Sequence, residues 1–152
     1  MAYGLLIGED EKVAAWAFST FHLFPTRVDR ALGIVSKDGA IKGAILFQNF
    51  NGTNVELSYY GPHTASVGIS RSIARVILSE FSAARVTVVT SKRNRRIMRG
   101  LSKFGFAIEG VQRRYYGHKD CPRNTGVRFV LFHEQICKIA GVQHSPIEQK
   151  KS

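Results

Sequence analysis

Acidic residues are scarce in this chain of 152 residues, where 11 Asp and Glu stand against 22 Lys and Arg and give a formal net charge of +11. Such an excess of positive charge favours an anionic partner. A polyphosphate cofactor, a nucleic acid and an acidic protein surface would all satisfy it. A basic surface that is simply solvated explains the charge equally well. The charge therefore predicts an anionic ligand or surface without identifying it.

Cysteine is also scarce, with two residues, Cys121 and Cys137. Two cysteines do not form the framework of a disulfide-stabilised secreted domain. His118 and His133 lie near them in the sequence, but the spacing matches no zinc-binding pattern. We therefore expect no metal site and assign both cysteines structural roles.

Long apolar runs, internal repeats and low-complexity segments are absent from the sequence. No stretch has the length and apolar character of a membrane span. The first residues, MAYGLLIGEDEK, become acidic after a short apolar run, whereas a secretory leader begins basic and has a longer one. We expect a cytoplasmic protein that does not bind membranes. Its length fits one domain over residues 1–141, followed by a polar tail at 142–152.

The hydrophobic pattern predicts a strand, a helix, three antiparallel strands, a helix, a strand, a helix and two strands. Asp38-Gly39 and Asn51-Gly52 stand between apolar runs, as in the tight turns of a meander. A helix over 69–84 leads to a Val-rich strand, which predicts a parallel crossover. Asp10 is placed to cap the first helix. The fold class is therefore mixed α+β (α/β), with a central sheet of six or seven strands.

The segment 94–110, NRRIMRGLSKFGFAIEG, is the most informative part of the sequence. Asn94 begins it at a position typical of a helix N-cap, where a ligand can also be bound. A basic amphipathic helix follows, and Gly105 is suited to the left-handed conformation that ends a helix. We predict that a strand starts directly after this turn, at Phe106.

This segment resembles the GNAT family of N-acetyltransferases, and most of all the branch that acetylates ribosomal proteins and related N-termini. In that family an Asn starts the helix after the fifth strand, K-x-G-F ends it, and x-x-E-G-x-x-R leads the next strand. The matching positions are Asn94, Lys103, Gly105-Phe106, Glu109-Gly110 and Arg113. Residues 54–58 (NVELS) fit the family's fourth strand. The resemblance covers about residues 4 to 132 and implies the GNAT fold, with a sheet that splays between its fourth and fifth strands.

The resemblance implies acetyl-coenzyme A (acetyl-CoA) as co-substrate. The acceptor would be a primary amine, which is a protein N-terminus, a lysine or a small amine. The pyrophosphate suits a loop at a helix N-terminus, here 63–71, and the pantetheine arm suits an exposed strand edge. The candidate cofactor-binding residues are Leu57, Ser58, Tyr59, Ser66, Val67, Gly68, Ser70, Arg71, Asn94 and Arg99. Ala65 and Ser70 depart from the family's phosphate-loop pattern, which has Gln or Arg and then Gly or Ala at these places.

Two residues are candidates for catalysis. Glu56 is placed to take a proton from the amine, directly or through a water, although a Glu on a strand more often faces solvent or pairs with an Arg. The family often has a Tyr as acid toward the departing thiolate where this chain has Leu101, which donates no proton. Tyr115 is therefore the candidate acid, with Tyr116 or a water as alternatives.

Two other functions fit the same sequence. One is a catalytically inactive GNAT-fold subunit that binds a partner or builds a larger assembly, such as a viral one. The other is a basic nucleic-acid-associated protein, because a helical basic face can lie on phosphates. The cationic cluster concerned comprises Arg93, Arg95, Arg96, Arg99, Lys103, Arg113 and Arg114. An exposed edge strand would also allow a homo-oligomer.

Overall fold

The structure is a computed structural model that describes residues 3–61 and 67–143, with Val67 and Gly68 described by their backbone alone. Within these residues the chain forms seven strands and four α-helices. The strands are β1 (Gly4–Leu6), β2 (Arg30–Val35), β3 (Ile41–Gln48), β4 (Asn54–Tyr60), β5 (Arg85–Ser91), β6 (Ala107–Gln112) and β7 (Gly126–Phe132). The helices are α1 (Asp10–Thr20), α2 (Val67–Glu80), α3 (Arg95–Phe104) and α4 (His133–Ala140).

The seven strands form one mixed sheet in the order β1-β2-β3-β4-β5-β7-β6. Neighbouring strands are antiparallel except for β4 and β5, which are parallel and are joined through α2. This confirms the predicted meander, the crossover and the sheet of six or seven strands. Asp38 stabilises the β2–β3 turn, since its carboxylate accepts hydrogen bonds from the Ser36 hydroxyl and, at 3.2 Å, from the Ala40 amide.

The sheet has a hydrophobic core on each face. On one side α2 and α4 cover a large cluster that includes Phe47, Ile77 and Phe129, each almost completely buried. On the other side α1 packs over β2 and β3 and buries Val13 and Ala17. Because side chains alternate along a strand, β4 directs Val55, Leu57 and Tyr59 toward α2 and Glu56, Ser58 and Tyr60 toward the opposite face.

The predicted role of Asp10 as a helix cap is wrong. Glu9 occupies the N-cap position of α1, and no side chain caps the helix. The Asp10 carboxylate instead accepts a hydrogen bond from the Ala31 amide at 3.0 Å and pairs with Arg30 at 2.9 Å. Arg30 also contacts Glu80 at 2.9 Å. The charge of Asp10 therefore ties α1 to β2, and through Arg30 to the end of α2, because Arg30 lies within reach of both carboxylates.

The structure also contains a helix, α4, that the sequence pattern did not predict. The pattern ends the last strand at His133 and gives no helix before the tail. In the structure His133 begins α4, and Ile136, Cys137 and Ala140 are buried against the core. Arg75 of α2 donates from Nε to the Ala140 carbonyl at 3.1 Å. Eight residues are too few for a helical period to stand out, so tertiary packing determines this element.

The helix of the informative segment is less buried than its pattern predicts. None of its residues is fully buried, and Met98, Leu101 and Phe104 pack half-exposed against the core on the α2 side. The left-handed cap is confirmed, since Gly105 has φ of 119° and its amide donates to the Leu101 and Ser102 carbonyls. The strand begins at Ala107, one residue after the predicted start.

Gly61 follows β4 directly, at a position where an added side chain would not fit. We therefore expect Gly61→Ala to be much less stable than the native protein. Its φ is +138°, and an added Cβ would lie 2.6 Å from the Gly43 Cα and 2.8 Å from the Lys42 carbonyl oxygen. Backbone strain and the clash with β3 together should lower the free energy of unfolding by about 3 kcal/mol in urea denaturation. Gly110→Ala is the control, because nothing lies within 4 Å of its added Cβ. Equal stability of the two variants would contradict the close approach of Gly61 to β3.

Candidate functional site

The parallel strands β4 and β5 form a fork. They pair over three positions, Asn54 with Arg85, Val55 with Val86 and Glu56 with Thr87, and no pairing between them follows in the described sheet. β4 continues beside β3 as far as Tyr60, and β5 stays paired with β7 as far as Ser91. Each strand is thus held by its outer neighbour, and the gap between them widens beyond Glu56. The splayed sheet expected from the resemblance is confirmed.

A cavity of about 220 Å³ occupies this fork. It brings together four residues predicted to belong to the site, Glu56, Leu57, Ser58 and Tyr115. The rest of its lining consists of Tyr60, Thr87, Val89 and Tyr116. Tyr116 is an alternative acid in the sequence-based prediction, whereas Thr87 and Val89 have no local signal, since only the arrangement of β4 beside β5 brings them to the site.

Glu56 lies at the apex of the fork, in the last paired position of β4. Its side chain is half-buried, and the Asn49 amide donates from Nδ2 to Oε2 at 2.9 Å. Glu56 forms no ion pair with any residue in the described part of the chain. The described residues therefore do not show the alternative role of Glu56, which is an ion pair with an Arg. One carboxylate oxygen is held by Asn49, and the other, Oε1, accepts no bond from the described residues.

Tyr115 and Tyr116 enter the fork from the loop between β6 and β7. Their rings meet edge to face, with centroids 4.8 Å apart. The Tyr116 hydroxyl donates to the Val89 carbonyl of β5 at 3.2 Å, and burial, with smaller contributions from Tyr115 and Tyr60, raises the pKa of Tyr116 to about 12. Tyr116 therefore ties the loop to β5 in its protonated form. Tyr115 packs over Gly126, where an added Cβ would lie 3.0 Å from its ring.

The loop that carries the two tyrosines is held by its own hydrogen bonds. The Tyr116 amide donates to the Asn124 carbonyl at 3.1 Å, and the buried Asn124 side chain donates to the Lys119 carbonyl at 2.9 Å. Thr125 donates from its hydroxyl to the Cys121 carbonyl at 2.9 Å. Ser91 of β5 donates to the Arg123 carbonyl at 2.8 Å. The sequence predicts only a polar loop here, whereas the structure shows a braced one.

An aromatic contact extends the fork toward α1. The Phe21 ring lies 5.3 Å from that of Tyr60 and 5.7 Å from that of Trp16, measured between centroids. Phe24, three residues further along the chain, is 92% exposed. Phe21 thus contacts a residue of the fork lining, whereas Phe24 is exposed to solvent.

The predicted phosphate-binding residues lie at the start of α2, which follows β4. Ser66 falls outside the described residues, and Val67 and Gly68 form the first turn of the helix. Ser70 is half-buried and Arg71 is exposed. An added Cβ at Gly141 would lie 3.8 Å from the Arg71 Nε, so this guanidinium lies against the C-terminal end of α4.

The remaining predicted cofactor residues do not line the cavity. Tyr59 packs on the α2 side of the sheet, and burial raises the pKa of its phenol, with a smaller effect of Tyr3. Asn94 is the exposed N-cap residue of α3 and makes no capping bond; its Nδ2 donates to the Thr90 hydroxyl at 3.4 Å. Arg99 is exposed on α3. Asn94 thus lies beside the end of β5, and neither Asn94 nor Arg99 lines the fork cavity.

Residues 3–61 and 67–143 contain no group of three or more His, Cys, Asp or Glu side chains placed to hold a metal ion. Among the described helices, none combines the length and the apolar character needed to cross a membrane.

Comparison with known proteins relates this architecture to solved structures. No family model and no curated protein matches the sequence. The ribosomal-protein-S5-alanine acetyltransferase from Vibrio fischeri superposes with a TM-score of 0.64 at 11% identity, over 88% of this chain and 94% of that one. A dodecameric spermidine N-acetyltransferase from Vibrio cholerae gives 0.64 at 10% identity, over 88% and 95% of the two chains. An acetyltransferase of the GNAT family from Bacillus anthracis gives 0.56 at 14% identity, over 68% of this chain and 66% of that one. The protein therefore has the GNAT fold.

Proposed function

We propose that the protein is an N-acetyltransferase that moves an acetyl group from acetyl-CoA to a primary amine. The observation that carries the proposal is the position of Glu56, a carboxylate without an ion-pair partner in the described chain, at the apex of the fork in a GNAT sheet. Neighbours of the same fold that are named as acetyltransferases support it.

The residues around the fork fit acetyl-CoA. Beyond Glu56 the edge of β4, from Leu57 to Tyr60, has no β5 partner, so its backbone can pair with the amides of the pantetheine arm. The N-terminal turn of α2 offers backbone N–H groups to the pyrophosphate, with Gly68 and Ser70 small enough for close approach. Asn94 and Arg99 would meet the cofactor from the β5 side. The cofactor thus enters from the α2 side, which leaves the opposite face to the amine.

The reaction follows from these positions. The amine nitrogen attacks the thioester carbonyl carbon, the new N–C bond forms, and the C–S bond breaks to release the coenzyme thiolate. Backbone N–H groups of β4 stabilise the transient oxyanion. Glu56 takes the proton that the amine loses, directly or through a water, and Asn49 keeps its carboxylate in place. The thiolate then accepts a proton from Tyr115 or from solvent.

The hydrogen bond and the environment of Tyr116 support different roles for the two tyrosines. Burial raises the pKa of the Tyr116 phenol to about 12, which makes Tyr116 a weaker proton donor than an ordinary tyrosine. The Tyr116 hydroxyl is also committed to the Val89 carbonyl. Tyr115 is therefore the candidate hydrogen-bond donor to the departing sulfur, and Tyr116 is a positioning residue that holds the loop.

A GNAT-fold binding subunit without catalysis is the second candidate. Leu101 packs against the core in place of the Tyr that often acts as acid in the family. Tyr116, which is bound to the Val89 carbonyl of β5, also occupies part of the fork lining. Such a subunit would bind a partner through its surface and would show no turnover. Nucleic-acid association, a homo-oligomer and a cytoplasmic location stay predictions.

Acetyl-CoA should stabilise the protein against heat. A ligand at 100 times its Kd stabilises the folded state by about 2.7 kcal/mol, which corresponds to a rise in Tm of about 5 to 10 °C for a chain of this size. ATP at equal ionic strength is the control, because it has a polyphosphate but no pantetheine arm. A shift with ATP as large as that with acetyl-CoA, or no shift at millimolar acetyl-CoA, would contradict a pantetheine site along β4.

Glu56→Gln should lower kcat by about 100-fold or more, because the amide keeps the shape of the side chain but cannot take a proton. The thermal shift with acetyl-CoA should be unchanged. Glu109→Gln is the matched control and should keep its kcat, since Glu109 pairs with Arg85 and neither residue lines the fork cavity. Unchanged kcat in Glu56→Gln would exclude Glu56 as the base.

Tyr115→Phe and Tyr116→Phe should have opposite effects. Tyr115→Phe should lower kcat by about 100-fold and leave stability unchanged, because it removes the donor to the leaving sulfur. Tyr116→Phe removes the hydrogen bond to the Val89 carbonyl and should therefore lower the free energy of unfolding by about 1 kcal/mol. Its kcat should stay within about tenfold of the native value. Turnover and urea denaturation of both variants test this. A larger loss of kcat in Tyr116→Phe would reverse the assignment.

A further inference from the structure

A second concavity, the basic pocket, lies at the other end of the loop that carries the tyrosines. It has a volume of about 510 Å³ and is lined by Arg93, Lys119, Cys121, Pro122 and Arg123. None of its three cations forms an ion pair with a described residue. The nearest acid along the loop, Asp120, is bound by Arg113, whose hydrogen bond lowers the pKa of that carboxyl. The positive charge of the pocket is therefore not compensated within the described chain.

The backbone on either side of the pocket is held in place. Ser91 donates to the Arg123 carbonyl at 2.8 Å, and the Lys92 amide donates to the Thr125 carbonyl at 2.8 Å. The Lys119 carbonyl accepts from the Asn124 side chain at 2.9 Å. Binding an anion here would order the cationic side chains but would not have to order the loop. Such preorganisation favours a built binding site over a merely solvated basic surface.

The pocket lies close to the fork, on the side left to the amine. Val89 lines the fork cavity, and Ser91, two residues further along β5, contacts the backbone of the pocket. A strand rises about 3.3 Å per residue, so Ser91 lies roughly 7 Å beyond Val89 and roughly 13 Å beyond Thr87, the residue that pairs with Glu56. An extended peptide advances about 3.4 Å per residue. A peptide whose terminal amine reaches Glu56 would therefore place side chains two to four residues further on at the pocket.

We propose that the acceptor is an acidic protein segment, whose carboxylates two to four residues from the reacting amine bind in the basic pocket. This inference rests on the proposed acetyltransferase function and specifies its acceptor. A net charge of +11 repels polyamines and attracts an acidic segment. The pocket favours a peptide over a nucleic acid because none of its five lining residues is aromatic, so it offers no ring for a base to stack on.

The test compares two fluorescent peptides that share a free N-terminal amine and differ in carrying Asp and Glu, or Asn and Gln, at positions three to five. Anisotropy with the protein and acetyl-CoA measures binding, and acetylation measures kcat/KM. The acidic peptide should bind about tenfold more tightly, since each exposed charge pair contributes a few-fold. Lys119→Glu/Arg123→Glu should abolish this preference and favour a third peptide with Lys at the same positions.

The control variant is Lys12→Glu/Lys37→Glu, which changes the net charge equally at two exposed residues away from the pocket. It should keep the preference for the acidic peptide. Equal binding of the acidic and neutral peptides by the native protein would overturn the proposal. The proposal would also be overturned if Lys119→Glu/Arg123→Glu lost the thermal shift with acetyl-CoA, because the pocket would then bind the cofactor. If the same variant lost binding to single-stranded RNA but kept its preference for the acidic peptide, the pocket would be a nucleic-acid site and the proposal would be overturned.

Failure of the proposed function gives a different result. If the native protein binds the acidic peptide selectively but acetylates neither peptide, the pocket is confirmed as an acidic-segment site and the enzymatic function is not. If it acetylates both peptides with equal kcat/KM, the enzymatic function is confirmed and the acidic acceptor is overturned.

Discussion

The candidate site depends on the way each strand of the fork is held by its outer neighbour. β5 pairs with β7 along all seven of its residues, and β4 pairs with β3 to its last residue, while β4 and β5 share three paired positions. Twisted strands held in this way separate as they extend. Gly61 reinforces the separation, because its close approach to Gly43 fixes where β4 leaves the sheet. The cavity, the free edge of β4 and the exposure of Glu56 all follow from this constraint.

The alternation of side chains along β4 divides the two sides of the fork. Leu57 and Tyr59 join the core under α2, and Glu56, Ser58 and Tyr60 face the opposite side, where α1 packs mainly over β2 and β3. The same strand can therefore present its backbone to one substrate and its carboxylate to the other. Among the described residues, Glu56 is the one acidic residue in the lining of the fork cavity, whereas the cations Arg93, Lys119 and Arg123 line the basic pocket beyond the end of β5. Electrostatics would thus favour an amine at the apex and anions at the rim.

Local sequence signals predict much of the fold. Asp38-Gly39 and Asn51-Gly52 mark turns that the structure contains, and Gly105 adopts the left-handed cap that its position indicates. The motif around Gly105 indicates the GNAT fold because it resembles the motif of that family. The physical chemistry of these residues alone does not identify the fold. α4 was missed because eight residues contain too little periodicity, and Asp10 was misassigned because its partners, Ala31 and Arg30, are distant in sequence.

The candidate site could be predicted only in part. Glu56, Leu57 and Ser58 are recognisable on their strand, and Tyr115 lies close to the motif. Their meeting with Thr87 and Val89 depends on the β4–β5 register, which no local pattern encodes. Local sequence patterns do not predict the basic pocket either, because it joins Arg93 to a loop that lies 26 or more residues away in the sequence. Charge composition predicted an anionic partner, but only tertiary structure shows where the cations converge.

Hydrogen–deuterium exchange of the native protein, with and without a non-reactive coenzyme A thioether, tests the fork most directly. If the pantetheine arm pairs with the free edge of β4, backbone amides within Leu57–Tyr60 should exchange more slowly in the complex. Amides of residues 33–35 in β2, where the strand is paired on both sides, should be unaffected. Protection confined to the α3 surface, with exchange in β4 unchanged, would contradict a cofactor site in the fork.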